Sequence, residues 1–172
     1  MGHLKHTIHI EAPVERVWRF TDDPRNWPAF MAGVSYPKKT VGDVGVGTSL
    51  ELTALVGNWQ LQEIVRTVED LGYPDGGGHW RCEFAGSSAG WMTMDCTPEE
   101  GGTLVTEEME YTVPGVASGE LVDRTAFESS QDEDMRRSLE NLKLLMERSP
   151  AGACTWCSLQ KTARCSTTTP ST

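Results

Sequence analysis

The sequence predicts an α+β fold, in which most of the chain forms an antiparallel sheet and a long helix follows near the C-terminal end. Three observations predict it: a strand followed by a short amphipathic helix at the start, short strands joined by brief turns in the middle, and an apolar helical stripe after residue 130. Because brief connections join antiparallel neighbours, whereas parallel strands need long crossovers, the middle of the chain favours a meander.

The first element is a strand around residues 7–11, where Ile8 and Ile10 alternate with polar residues and so predict one buried face. Pro13 then begins a helix, since a proline at the first helical position removes no needed hydrogen bond. Pro24 ends this helix, because the residue before a proline is pushed out of helical geometry. The apolar face of the helix consists of Val14, Val17, Trp18 and Thr21.

The middle of the chain contains further strand patterns, each bounded by glycine, proline or asparagine turn signals. These strands are predicted near residues 48–56, 58–69, 78–85, 89–97 and 103–113. With the first strand included, the sheet is expected to contain about six or seven strands.

A strong helical stripe lies near the end of the chain. It consists of Met135, Leu139, Leu142 and Met146, which recur at helical spacing. The stripe weakens through residues 128–132. Two interpretations remain open at this point: one long helix bends there, or Ser130 caps a second helix.

Both ends of the chain resemble one known group of proteins. The segment from His6 to Phe30 contains a strand, a helix beginning at proline, an Asp-x-x-x-Trp motif and an aromatic residue, and residues 111–115, 119–124 and 138–143 match the group's final strand and helix. Over roughly residues 4–148 the chain therefore resembles the START/Bet v 1-like (SRPBCC) superfamily, and within it the polyketide cyclase/dehydrase-like bacterial branch. The resemblance implies a helix-grip fold: a curved antiparallel sheet wrapped around one continuous long helix, with two short helices after the first strand.

The predicted domain boundaries place the fold in residues 1–148 and a flexible Ser/Thr-rich tail in residues 149–172. Cys154 and Cys157 form a C-x-x-C in this tail, and Cys165 follows. A metal or redox role is one interpretation, but the tail offers no histidine and no second C-x-x-C, which favours incidental thiols. Cys82 and Cys96 lie in strand patterns and are expected in the core.

Charge limits the classes of partner. The chain has 172 residues and a formal net charge of −10, which disfavours nucleic acid and anionic membrane surfaces because both are bound through positive fields. The sequence shows no apolar run typical of a signal peptide or a membrane span, so a cytoplasmic protein is expected. The sequence leaves monomer and homodimer both open.

The resemblance implies an internal cavity, because a curved sheet wrapped around one helix encloses more volume than side chains usually fill. Aromatic residues with a few polar groups are the usual lining of a small-molecule site. The candidate ligand-binding residues are Trp27, Phe30, Met31, Trp59, Trp80, Trp91, Tyr111 and Phe127. The alternative for each of them is simple core filling.

Two carboxylates share strand faces with apolar residues. Strand alternation places Glu63 on the same face as Leu61 and Val65, and it places Glu107 on the same face as Val105 and Met109. A carboxyl group buried in a cavity has a raised pKa and could act as a general acid or base, so Glu63 and Glu107 are the candidate catalytic residues. Alternatively, each faces water at a bulge or strand end, or pairs with an arginine.

Two functions follow as hypotheses. The first is binding of a hydrophobic small molecule such as a lipid or polyketide in the cavity. The second, which the resemblance names, is a polyketide cyclase, aromatase or dehydratase that uses the same cavity without a cofactor. No catalytic motif selects between them, and no metal and no cofactor are predicted. A third possibility, an adaptor for a partner protein, is also implied by the resemblance.

Overall fold

The computed structural model describes residues 1–112 and 123–148 of the protein. Two predictions fall outside these residues: the end of the last strand at residue 113, and the tail at 149–172 with its cysteines Cys154, Cys157 and Cys165.

The elements follow the predicted order. The strands are β1 (Gly2–Ile10), β2 (Lys39–Val41), β3 (Ser49–Val56), β4 (Trp59–Gly72), β5 (Gly78–Gly86), β6 (Ala89–Glu99) and β7 (Gly102–Thr112). The helices are α1 (Val14–Asp22), a 3₁₀ turn at Pro24–Asn26, α2 (Trp27–Phe30) and α3 (Arg124–Arg148). The short edge strand β2 is the one strand of the described residues that no sequence pattern predicted, because its three residues are all exposed.

One antiparallel sheet contains all seven strands, in the order β1-β7-β6-β5-β4-β3-β2. Consecutive strands from β2 to β7 are neighbours, which confirms the meander. The first strand, β1, pairs with β7 and forms one edge of the sheet. A bulge between Thr67 and Glu69 interrupts the pairing of β4 with β5. Bulges increase local twist and bend a strand, so this one contributes to the curvature that lets the sheet wrap around α3.

The α1 helix packs against one end of the sheet through the apolar face that the sequence predicted. Val14, Val17 and Trp18 are all buried. Trp18 lies directly over Gly78 at the start of β5, where an added Cβ atom would stand only 2.4 Å from the indole ring. A glycine is therefore required at this close approach.

The α3 helix is continuous, so of the two open interpretations the single long helix is correct. Its start is capped at Asp123, whose carboxylate accepts hydrogen bonds from the backbone N–H groups of Thr125 and Ala126. Ser130 lies inside the helix. The helix carries charged residues along much of its length, and among the described helices none is long and apolar enough to cross a membrane.

The C-terminal half of α3 is fixed to the N-terminal elements by both packing and hydrogen bonds. Leu139, Leu142 and Met146 are buried in the main core. The hydrogen bonds run from Lys143 Nζ to the His9 carbonyl (2.7 Å), from Arg16 Nη2 to the Met146 carbonyl (2.6 Å) and from Asn141 Nδ2 to the Phe30 carbonyl (3.1 Å). This half of the helix is the structural anchor of the fold.

Truncating the apolar stripe of α3 should destabilise the protein. Leu142 is completely buried, so Leu142→Ala should lower the free energy of unfolding by about 2–5 kcal/mol through lost burial and the cavity left behind. Leu144 on the same helix is 47% exposed, and Leu144→Ala is the matched control, with an expected change of about 0.5 kcal/mol or less. Urea unfolding of both variants tests this, and equal losses would contradict the placement of the stripe.

Candidate functional site

A cavity of about 110 Å³ lies between the concave face of the sheet and the N-terminal half of α3. Apolar side chains form most of its wall. The principal lining residues are Trp27, Met31, Val34, Leu52, Ala54, Leu61, Glu63, Val65, Cys82, Phe84, Ser88, Met92, Glu107, Met109, Tyr111, Phe127, Gln131, Asp134, Met135 and Ser138. The cavity therefore draws on β3 to β7, α2 and α3 together.

Four of the eight candidate ligand-binding residues line this cavity: Trp27, Met31, Tyr111 and Phe127. Two others stand behind them. Trp80 stacks on Trp27 with ring centroids 5.1 Å apart, and Trp59 meets the edge of Phe127 at 5.5 Å. These pairs hold the orientation of the lining rings, because offset and edge-to-face aromatic contacts have preferred geometries.

The remaining two candidates lie away from the cavity. Phe30 is buried in the core against Phe20, with ring centroids 6.0 Å apart. Trp91 is on the opposite face of the sheet from the cavity-lining Met92, where the Arg81 guanidinium lies 4.8 Å above its ring. Whether any candidate contacts a ligand stays a prediction.

Glu107 reaches the cavity from β7, and its side chain is almost completely buried. Its Oε2 atom has no hydrogen-bond partner among the described residues. Burial without a compensating partner raises the pKa of Glu107 to about 8, because the charged form would lose its hydration. The group is therefore mainly a neutral carboxylic acid at neutral pH.

Glu63 reaches the cavity from β4 and has a different environment. Its Oε1 atom accepts two hydrogen bonds of 2.9 Å from Ser88, one from the backbone N–H and one from the hydroxyl. Burial raises the pKa of Glu63, and the two Ser88 bonds oppose this rise because they favour the ionised form. The Oε2 atom has no partner among the described residues.

The alternation of the strands predicted that Glu63 and Glu107 share faces with apolar residues, and both are buried as that parity requires. Within the described part of the chain, neither forms an ion pair with an arginine, and neither faces water, so the alternative interpretation does not apply. Their catalytic role stays a prediction.

The α3 helix contributes polar residues that the sequence reasoning missed. Gln131, Asp134 and Ser138 line the cavity together with the apolar Met135, and they lie on both sides of it in the sequence. Burial raises the pKa of Asp134, while Arg137, 3.8 Å away, opposes the rise. Extending the helical spacing backwards from Met135 would have found Gln131. Of these residues, Gln131 lies where the apolar stripe weakens.

Two other chemical candidates are less suited to reaction. Burial raises the pKa of the Cys82 thiol to about 12, so this lining residue stays protonated and is a poor nucleophile. Among the residues that the structure describes, no three His, Cys, Asp or Glu side chains come together as metal ligands would. His3 and His6 approach different acidic residues, Glu108 and Asp132 respectively.

Comparison with known proteins identifies the family. The sequence profile of the family described as polyketide cyclase/dehydrase and lipid transport matches residues 1–147. The chain belongs to this family. A comparison with curated protein sequences found no match.

Solved structures confirm that this member of the polyketide cyclase/dehydrase and lipid transport family has the helix-grip fold. The protein TTHA0849 from Thermus thermophilus is similar with a TM-score of 0.66 at 20% identity, over 83% of this chain and 95% of that one. The Zhui aromatase/cyclase from a Streptomyces species has a TM-score of 0.66 at 14% identity, over 86% and 94% of the two chains. A START superfamily protein from Mycobacterium smegmatis has a TM-score of 0.61 at 13% identity, over 84% and 97%.

The buried carboxyl of Glu107 should make the stability of the protein depend on pH. Its pKa rises from an ordinary value of 4.5 to about 8 on folding, so between these values the folded state binds more protons than the unfolded state. The contribution of Glu107 to the free energy of unfolding should then be greatest below pH 4.5. It should fall by up to about 1.4 kcal/mol per pH unit until the pH passes 8.

Glu107→Gln removes the titrating group and should flatten this part of the profile. The matched control is Glu110→Gln, because Glu110 lies on the same strand with its side chain on the opposite face of the sheet. Urea unfolding between about pH 5 and pH 8 measures the difference. A wild-type profile that matches the Glu107→Gln profile across this range would show that Glu107 does not titrate abnormally.

Proposed function

We propose that this protein binds a hydrophobic small molecule in the cavity beneath α3. The observation that carries the proposal is the composition of the wall, in which aliphatic, methionine and aromatic side chains surround a few buried polar groups. Such a wall stabilises an apolar ligand by removing it from water, at about 0.8 kcal/mol for each buried CH₂ group. The family description, which includes lipid transport, supports the same class of activity.

The size of the cavity limits the ligand that enters it without rearrangement. A cavity of roughly 150 Å³ accommodates benzene in other proteins, and the volume here is about 110 Å³. The cavity as formed thus fits one small ring or a short branched chain. A larger ligand requires outward movement of the lining, and the residues that α3 contributes to the main core, Leu139, Leu142 and Met146, all lie in its C-terminal half.

Filling the cavity should prevent binding. Ala54 lines the cavity from β3, so Ala54→Leu places additional carbon atoms in the space that the ligand needs. Ala85 is exposed on β5, and Ala85→Leu is the matched control. Isothermal titration with acetophenone should show at least about a tenfold loss of affinity for the first variant, from a clash worth roughly 1.4 kcal/mol or more. The control should bind as the wild type does, and equal affinities would place the ligand elsewhere.

A second candidate function is cofactor-free acid–base chemistry on a ketone, as in a cyclase or dehydratase. The observation that favours it is Glu107, a buried carboxyl group with a pKa near neutrality in the wall of the cavity. A group whose pKa lies near the working pH can both donate and accept a proton efficiently. The structural likeness to an aromatase/cyclase supports this candidate.

Hydrogen exchange tests the chemistry separately from binding. Acetophenone carries exchangeable hydrogens on the carbon next to its carbonyl group. If Glu107 removes one of them, the protein should accelerate deuterium incorporation from D₂O by roughly 10²-fold or more, and Glu107→Gln should abolish the acceleration. NMR follows the exchange, with Glu110→Gln as the control variant. Binding without any acceleration would leave a carrier and exclude this use of Glu107.

A further inference from the structure

The cavity is lined by carboxyl groups and by no basic side chain of the described residues. Three carboxyl groups line it, from Glu63, Glu107 and Asp134, and among the described residues no lysine, arginine or histidine does. Two of the three carboxyl groups are buried and each has an oxygen atom with no hydrogen-bond partner in the described structure. A ligand that enters this space meets carboxyl groups, hydroxyl groups and one amide, but no basic side chain of the described residues.

We propose that the preferred ligand of the cavity is a hydrophobic amine, bound as its ammonium ion against Glu107. This inference rests on the proposed function, which places the ligand in the cavity, and adds the chemical class of its polar group. An ammonium group supplies the hydrogen-bond donors that the unpartnered carboxyl oxygens lack. A ligand carboxylate would instead find no basic side chain in the described wall to pair with, and an unpaired buried charge is strongly unfavourable.

Aromatic residues strengthen the preference for a cation. Trp27, Tyr111 and Phe127 present rings to the same cavity as the carboxyl groups. A ligand cation over an aromatic face is attracted by the negative face of the ring, and the attraction is stronger where water is excluded. The combination of ring faces and carboxylates therefore favours an ammonium group over an alcohol of the same shape.

Binding would change the protonation of Glu107. In the empty cavity the carboxyl group is mainly neutral below its pKa of about 8. The amine enters already protonated, Glu107 loses its proton to the buffer, and an ion pair remains between the ammonium group and the carboxylate. One proton is thus released for each amine bound, and the balance needs no other reactant.

The ionisable groups around Glu107 come from neighbouring strands and from α3. On β1, His6 is its cross-strand neighbour, and the Nε2 atom of His6 lies 2.7 Å from Oδ1 of Asp132 on α3. On β5, Cys82 is a thiol with a pKa raised to about 12 by burial. The other ionisable groups of the cavity wall are Glu63 on β4, Tyr111 on β7 and Asp134 on α3. The groups that line the wall are thus all neutral or acidic.

The acidic residues extend to the outer side of the cavity. A second pocket that shares Leu55 and Asp134 with the cavity is also lined by Glu133 and Arg137. Arg137 is bound to Glu133 at 2.8 Å, so its charge is compensated. With a net charge of −10 for the whole chain, the long-range field attracts a cation rather than an anion.

Three single-ring probes of similar shape test the proposal: 2-phenylethylamine, 2-phenylethanol and 3-phenylpropionate. Isothermal titration at about pH 7 should give the amine an affinity at least about tenfold higher than the alcohol, and no detectable binding of the acid. Titration in two buffers of different ionisation enthalpy should show release of up to one proton with the amine and none with the alcohol. Affinity for the amine should rise by up to about tenfold per pH unit as the pH approaches 8.

Variants assign the effect to Glu107. Glu107→Gln, which preserves the shape of the neutral acid, should lose the preference for the amine and the proton release while it retains the alcohol. Glu110→Gln should behave as the wild type.

The outcomes separate this inference from the proposed function. If the alcohol binds as tightly as the amine, or the amine binds without proton release, the amine preference is wrong and the hydrophobic site remains. If the acid binds best, the charge argument is overturned. If none of the three probes binds at millimolar concentration, both the amine preference and the proposed single-ring site fail.

Discussion

The packing of α3 across the concave face of the sheet is the interaction on which the rest of the structure depends. The two halves of α3 pack against this face in different ways. The C-terminal half buries Leu139, Leu142 and Met146 and is tied by hydrogen bonds to the N-terminal elements. The N-terminal half places polar residues over the sheet and leaves a cavity. The buried core and the cavity therefore belong to different turns of the same helix.

Two carboxyl groups that face the same cavity differ because their partners differ. Ser88 gives Glu63 two hydrogen bonds that favour its ionised form, whereas Glu107 has only burial, which favours its neutral form. Environments that separate the protonation of two carboxyl groups are a common way for one site to hold both a donor and an acceptor. Retaining an unpartnered buried carboxyl opposes folding above its ordinary pKa, so the fold tolerates a local cost at the place where a ligand would compensate it.

Much of this arrangement is visible in the sequence. Strand alternation placed Glu63 and Glu107 on apolar faces, and the stripe through Leu139 and Leu142 located the anchor of α3. Trp91 is a residue that such reasoning placed wrongly, because its large apolar ring suggested the inner face of the sheet. Met92, Met94 and Cys96 occupy that face of β6. Trp91 lies on the outer face, where it contacts the Arg81 guanidinium. Ser88 and Asp134 were not predicted because a turn and a helix bring them to the cavity, and neither position departs from ordinary surface composition.

The pairing of β1 with β7 has a consequence for the order in which the chain can fold. Ile10 lies opposite Thr103 and Gly2 lies opposite Tyr111, so β1 finds its hydrogen-bonding neighbour only after β2 to β6 have been synthesised. Contacts of such long sequence separation are slow to form, because loop closure must precede any gain from pairing. Until then β1 is an unpaired edge, and its alternating histidine and lysine residues reduce the tendency of such an edge to pair with other chains. Sheet completion is thus coupled to near-complete synthesis of the domain.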